Sequence, residues 1–209
     1  MTRIVRLSGN DPWSNVYVLG NEGEPCIFID FGVEDGGSLL RYAEKHHSMI
    51  AGIFLTHGHF DHINGLRIFE KGAPCPVFLS TEDERCLFDS EFNLSVDFGL
   101  PPLKLPFIRP YLVEDEDEVK LGNTILKVHA TPFHTSGSVC YETEDGILFS
   151  GDSVFRFGIG RYDLRGAEPR SKQASIDKIL SLQEISKVYP GHGPSTTLQE
   201  IRQWLPSID

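Results

Sequence analysis

The run Thr56-His57-Gly58-His59-Phe60-Asp61-His62 sets three imidazoles and a carboxylate within six positions, directly after the apolar stretch Ile53-Phe54-Leu55. Neutral imidazole and carboxylate are the usual ligands of zinc and comparable divalent transition metals. His57 and His59 are two apart, so an extended backbone points both the same way. Asp61 continues that side, and His62 is placed to turn toward a neighbouring position. One short loop thus offers ligands to two adjacent ions. The chain holds only eight histidines in 209 residues, so three in one heptapeptide are a poor match to random surface placement.

Three further segments carry residues of the same kind: Thr131-Pro132-Phe133-His134-Thr135-Ser136-Gly137-Ser138, Leu148-Phe149-Ser150-Gly151-Asp152 and Tyr189-Pro190-Gly191-His192-Gly193-Pro194. Together with H-x-H-x-D-H after an apolar strand, and in this order, they resemble the motifs of the metallo-β-lactamase superfamily. Ser14-Asn15-Val16-Tyr17 and Ile27-Phe28-Ile29-Asp30 resemble its opening strands. Asp152-Ser153-Val154-Phe155-Arg156, Gly160-Arg161-Tyr162-Asp163 and Gly191-His192-Gly193-Pro194-Ser195-Thr196-Thr197 are most similar to the short glyoxalase II-like (hydroxyacylglutathione hydrolase-like) branch.

The resemblance implies an α/β fold, a four-layer α/β/β/α metallo-β-lactamase-type sandwich. It implies two divalent metal ions, zinc in preference to iron or manganese. His57, His59 and His134 go to the first, Asp61, His62 and His192 to the second, and Asp152 bridges; Asp61 and Asp152 also count as catalytic. It implies a hydrolase in which hydroxide generated at the metals attacks a small thioester such as S-lactoylglutathione. Two dications about 3.5–4 Å apart can share a hydroxide and clamp the developing oxyanion. A thiolate, with a conjugate-acid pKa of about 8.5, leaves without needing a proton. A mononuclear iron persulfide dioxygenase-like oxidoreductase and a β-lactam or other ester hydrolase stand as alternatives on the same fold.

Individual residues carry further expectations. Asp30, ending an apolar strand, is expected to brace the metal loop. Arg161 and Asp163 form either an internal ion pair or substrate contacts. His129 is out of place for the motif and is expected to be structural; His46 and His47 end a helix, where a cation suits the dipole. Phe133 stands where the family often has glycine, so its bulk is expected to narrow the site beside the first metal. Full-length glyoxalase II enzymes add a helical domain that binds glutathione; here residues 89–106 are expected to supply the missing wall.

The elements that must position these residues are short. Strands are predicted at 3–7, 15–19, 26–31, 51–55, 76–80, 111–113, 119–121, 124–129, 138–143, 146–149 and 187–189, separated by Gly/Asn/Asp/Pro punctuation. Helices are predicted at 37–47, 62–70, 171–182 and 197–204, with another starting at Thr81 and capped through Glu84. Residues 89–106 read as a long ordered loop. The acidic run Glu114-Asp115-Glu116-Asp117-Glu118 reads as a solvated turn.

Composition, 40% hydrophobic and 23% charged, is that of a soluble globular protein, most economically one domain spanning 1–209. Net charge is −11 and the pI is near 5.1, which argues against a nucleic-acid backbone as partner. No apolar run approaches the roughly 18 residues of a membrane span, and no signal-peptide core is visible, so a cytoplasmic location is expected. Cys26, Cys75, Cys86 and Cys140 are scattered and read as reduced core thiols.

Overall fold

The computed structural model describes residues 2–8 and 12–205. Two sheets stand face to face. The first has six strands in sequence order, β1 (Ile4–Ser8), β2 (Asn15–Leu19), β3 (Cys26–Ile29), β4 (Ile50–Phe54), β5 (Val77–Ser80) and β6 (Tyr111–Val113). Its first three strands are antiparallel and its last four run parallel from β3 onward. The second sheet has the order β13-β10-β9-β8-β7, from β7 (Glu118–Leu121), β8 (Thr124–Ala130), β9 (Val139–Thr143), β10 (Ile147–Gly151) and β13 (Lys187–Pro190). Only β10 and β13 are parallel in it.

Three apolar clusters mark three interfaces between four layers. Successive side chains of a strand point to opposite faces, and in β2 both faces are buried. Tyr17 and Leu19 meet Leu126, Val128, Tyr141 and Phe149 of the second sheet. Val16 and Val18 join Phe28, Ile53, and Leu39 and Ala43 of helix α1 (Gly36–His46) on the outer face. On the far side, Cys140, Leu148 and Val188 pack against Ile179 of α3 (Lys172–Ser181) and Ile201 of α4 (Leu198–Trp204). This is the four-layer α/β/β/α sandwich. Among the described residues, no helix is long and apolar enough to cross a membrane.

The segment expected as a helix over 62–70 is instead one α turn, α2 (Phe60–Ile63), followed by a 3₁₀ helix, Asn64–Ile68. Ile63, Leu66 and Phe69 recur every third residue, which is the period of a 3₁₀ helix, and all three are buried. A Cβ at Gly65 would sit 2.5 Å from the Phe31 carbonyl, so the chain here is pressed onto the β3 exit. Thr81–Leu87 is likewise 3₁₀, and no side chain caps its start, so the expected Thr81/Glu84 box does not form. A small hairpin not foreseen, β11 (Val154–Phe155) with β12 (Gly158–Ile159), follows Asp152.

Residues 89–106 contain no regular strand or helix, yet they are internally tied. Asn93 is fully buried, and its amide donates to the carbonyls of Cys86 (2.7 Å) and Leu103 (3.0 Å). Its own carbonyl accepts from Phe60 N at 2.8 Å, fastening the loop to the histidine-rich segment.

Candidate metal centre

All seven residues singled out by the sequence converge at one end of the sandwich. β4 delivers His57, His59, Asp61 and His62 from the first sheet; the turns after β8, β10 and β13 deliver His134, Asp152 and His192 from the second. Their ligand-type atoms form three overlapping groups, His57/His59/His134, His57/His62/Asp152 and Asp61/His62/His192, each within 4.8 Å. The outer groups coincide with the two ligand sets expected from sequence. Asp152 lies between them: Oδ2 is 3.6 Å from His134 Nε2 and 3.7 Å from His192 Nε2, and Oδ1 is 3.4 Å from His62 Nε2.

Neighbouring groups orient the imidazoles. Asp30 Oδ2 accepts from His62 Nδ1 at 2.8 Å, and the carbonyl of Arg161 accepts from His134 Nδ1 at 2.7 Å. His57 Nδ1 is 3.2 Å from the Thr56 hydroxyl, which donates onward to Asp30. These contacts assign the proton of each ring to Nδ1 and leave Nε2 facing the cluster. His62 Nε2, His134 Nε2 and Asp152 Oδ1 are buried without a hydrogen-bond partner. Buried polar atoms are nearly always satisfied, so orphaned nitrogen and oxygen lone pairs converging on one spot fit a cation.

Electrostatics agree. Burial disfavours the charge on Asp152, but His62 and then the other imidazoles outweigh it and hold its carboxyl well below the usual range. Burial likewise opposes a proton on His62, yet Asp30, Asp152 and Asp61 together raise it well above an ordinary histidine. A pocket negative enough to favour a second proton, on Nε2, of a fully buried imidazole is one that attracts metal cations, and a cation bound there would take that proton's place. Burial, then the neighbouring imidazoles, keep His57 well below its ordinary value. His59 is pushed down to about 3, by burial first and His134 next. Both are neutral at pH 7, the state a ligand needs.

Asp30 braces the loop through Thr56 N as well (2.8 Å) and sits at φ 59° to do so. A second brace, Asp83, was not singled out from the sequence, where Thr81-Glu82-Asp83-Glu84-Arg85 reads as the start of a helix. Asp83 is buried and accepts from Gly58 N (2.8 Å), Thr135 Oγ1 (2.8 Å) and Gly137 N (3.0 Å), tying the first histidine loop to the third-histidine turn. Burial raises its carboxyl against the pull of these bonds. Gly191 completes the frame: a Cβ there would lie 2.2 Å from Asp152 Oδ1 and 2.6 Å from the His62 ring.

Other expectations divide. His129 stays out of the cluster, buried on β8 and bonded to Glu142 at 2.6 Å. Arg161 and Asp163 form a bidentate ion pair (2.9 and 3.0 Å). Phe133 is a correction: it is fully buried and does not line the cavity beside the cluster, so it narrows nothing there. The acidic run is an exposed turn between β6 and β7, as expected, with Asp115 paired with Lys178 of α3 and Glu116 with Lys127 of β8 at the surface. All four cysteines are free thiols.

The comparisons with known proteins agree with this geometry. A family model described as "Metallo-beta-lactamase superfamily" matches residues 13–192. The chain is 34% identical to a Bacillus subtilis protein named as a probable metallo-hydrolase, over 88% of this chain and 86% of that one. It is 26% identical to a hydroxyacylglutathione hydrolase of Haemophilus influenzae, over 93% and 92%. Among solved structures, the BLEG-1 B3 metallo-beta-lactamase superposes with a TM-score of 0.85 at 31% identity, covering 99% of each chain. Another, described as a di-iron-bound form, gives a TM-score of 0.77 at 31% identity, over 98% of this chain and all of that one.

Proposed function

This chain belongs to the metallo-β-lactamase superfamily, and from that premise we propose that it is a binuclear metal hydrolase acting on thioesters. One observation carries the choice of substrate. The cavity beside the cluster, about 400 Å³, is lined by five of the seven candidate ligands, and among the described residues its titratable side chains are His59, Asp61, His134, Asp152, His192 and Arg161. The first five belong to the candidate metal set. A guanidinium does not give up a proton near neutral pH. Among the described residues no lining group is therefore left to protonate a departing atom, so a leaving group that departs as a stable anion is favoured, and a thiolate does so far more readily than an alkoxide or an amide nitrogen.

His57, His59 and His134 would hold one ion and Asp61, His62 and His192 the other, with Asp152 between them; zinc is the preferred metal, and iron is the competitor that the di-iron neighbour brings in. Bound there, such ions polarise a carbonyl oxygen and lower the pKa of water. The chain's own part is to keep the Nε2 lone pairs of His57, His62 and His134 turned inward, through Thr56, Asp30 and the Arg161 carbonyl. The hydroxyacylglutathione hydrolase relative supports the thioester reading; the B3 lactamase likeness supports β-lactams as the second reading. Zinc- and iron-loaded protein, assayed on a thioester, its matched oxygen ester, a β-lactam and a phosphodiester, separates them. The thioester is expected to be turned over fastest, and a preference for the lactam or the phosphodiester overturns the proposal.

A further inference from the structure

The non-titratable part of the same cavity is apolar. Leu94 and Phe98 come from the 89–106 loop, Phe155 and Ile159 from the β11/β12 hairpin, and Leu164 from the turn beyond it. Among the described residues, no serine, threonine, tyrosine, asparagine or glutamine side chain lines it. Its one cation, Arg161, already has its guanidinium fork on both oxygens of Asp163. Among the described residues a polar acyl group would thus find Arg161 as the one hydrogen-bonding side chain outside the candidate metal set, and burial without partners costs affinity. A charged thiol carrier would meet a single guanidinium, two of whose N–H groups are already on Asp163.

These walls are held in place. Leu94 is 2% exposed at φ 66°, a strained backbone region for a leucine that persists only where neighbours over-determine it. Those neighbours are Asn93, bonded to two carbonyls, and Ser95, whose hydroxyl accepts from Leu103 N at 3.0 Å. Phe98 is 54% exposed, a large apolar side chain left open at the mouth, with its ring 5.3 Å from that of Phe60. Phe155 stands 6.3 Å from the His192 ring, so the apolar wall reaches the cluster itself. An exposed aromatic continuous with a dry-walled cavity marks a binding surface.

We infer that this cavity is an acyl pocket, and that the preferred thioesters carry an apolar alkyl acyl group. The inference rests on the thioester reading above and narrows it. The test uses acetyl, lactoyl and hexanoyl thioesters of one small uncharged thiol, N-acetylcysteamine, with zinc-loaded protein of measured metal content. Hexanoyl kcat/KM is expected to exceed acetyl by at least about tenfold, since added methylenes leave water for apolar walls; lactoyl is expected to gain nothing over acetyl. Phe98→Ala, and separately Leu164→Ala, should shrink the hexanoyl-to-acetyl ratio by about fivefold or more, through KM, with metal content retained. Phe107→Ala, exposed but outside this cavity, should leave the ratio alone. A flat acyl profile, a lactoyl preference, or a ratio indifferent to both cavity variants overturns the acyl pocket while leaving a thioesterase standing. No turnover of any thioester removes the thioesterase itself, and the pocket with it.

Discussion

At the residue scale, Asp152 and His129 make a controlled contrast. Both are buried or nearly so and both hold an acid–imidazole contact, but only Asp152 lies between the two ligand groups. Asp152→Ala is expected to lower metal content and to cut turnover by about a hundredfold or more, whereas His129→Ala should retain both to within a few-fold. Metal analysis and thioester kinetics on the same preparations check this, and similar behaviour of the two variants would mean the ligand positions are misassigned. The imidazoles also set a pH dependence for metal-free protein. His59 titrates at about 3 in the fold and near 6.5 unfolded, and His57 is displaced the same way. Below about pH 6.5 the unfolded chain therefore binds more protons, and stability falls as the pH drops toward 3. Asp61 and Asp152, both lowered, add a further loss below about pH 4. His62 has the opposite sign: raised in the fold, it lends stability that is complete below about pH 6.5 and lost as the pH rises through its higher folded value. Thermal midpoints in chelator should thus peak near pH 6.5, and His59→Gln should flatten the acid limb; an acid limb unchanged in that variant contradicts the assignment.

At the element scale, the cluster depends on turns held to one another across the sandwich. Asp83 joins the loop after β4 to the turn after β8 through three bonds, and nothing else in the 3₁₀ segment reaches both. Asp83→Ala leaves the Gly58 and Gly137 amides unpaired, which costs about 1–3 kcal/mol per buried donor. A midpoint lowered by several degrees, with weakened metal retention, is expected; a variant that unfolds normally and keeps its metal would show that the brace is dispensable. Gly191→Ala should keep its secondary structure in circular dichroism but bind metal poorly, because the new methyl meets Asp152 and His62 rather than a flexible surface. The strands and the ligand loop were legible because apolar runs ending in His/Asp motifs carry their own period and punctuation, as at Ile53-Phe54-Leu55 before Thr56. Asp83 was not, since an acidic residue in the first turn of an expected helix carries no sign that the fold buries it. Nor were the 3₁₀ segments, whose three-residue spacing is one residue short of an α-helical repeat and is easily taken for it. The β11/β12 hairpin pairs only two residues on each side, too few to show a strand period.

At the scale of the whole molecule, the candidate ligands come from both sheets, four from the first and three from the second. The sheets are otherwise joined by the apolar interface around Tyr17, Phe54, Tyr141 and Phe149, and by a few crossing bonds such as Val139 N to the Thr56 carbonyl (2.9 Å) and Tyr141 Oη to the Leu55 carbonyl (2.9 Å). A metal held by these residues would therefore cross-link the halves in a way the unfolded chain cannot, and binding to the folded state alone stabilises by mass action. At free metal about a hundredfold above Kd the gain is about 2.7 kcal/mol, and for a chain of this size that moves the midpoint by roughly 5–10 °C. Titration of metal-free protein with zinc is expected to saturate at two equivalents and to release protons, His62 among the donors, since its raised proton must leave before Nε2 can coordinate. Calorimetry in two buffers of different ionisation enthalpy reads the protons, and elemental analysis reads the stoichiometry. A plateau at one equivalent with excess zinc and with excess iron, or saturation with no rise in midpoint, would refute the binuclear cross-link.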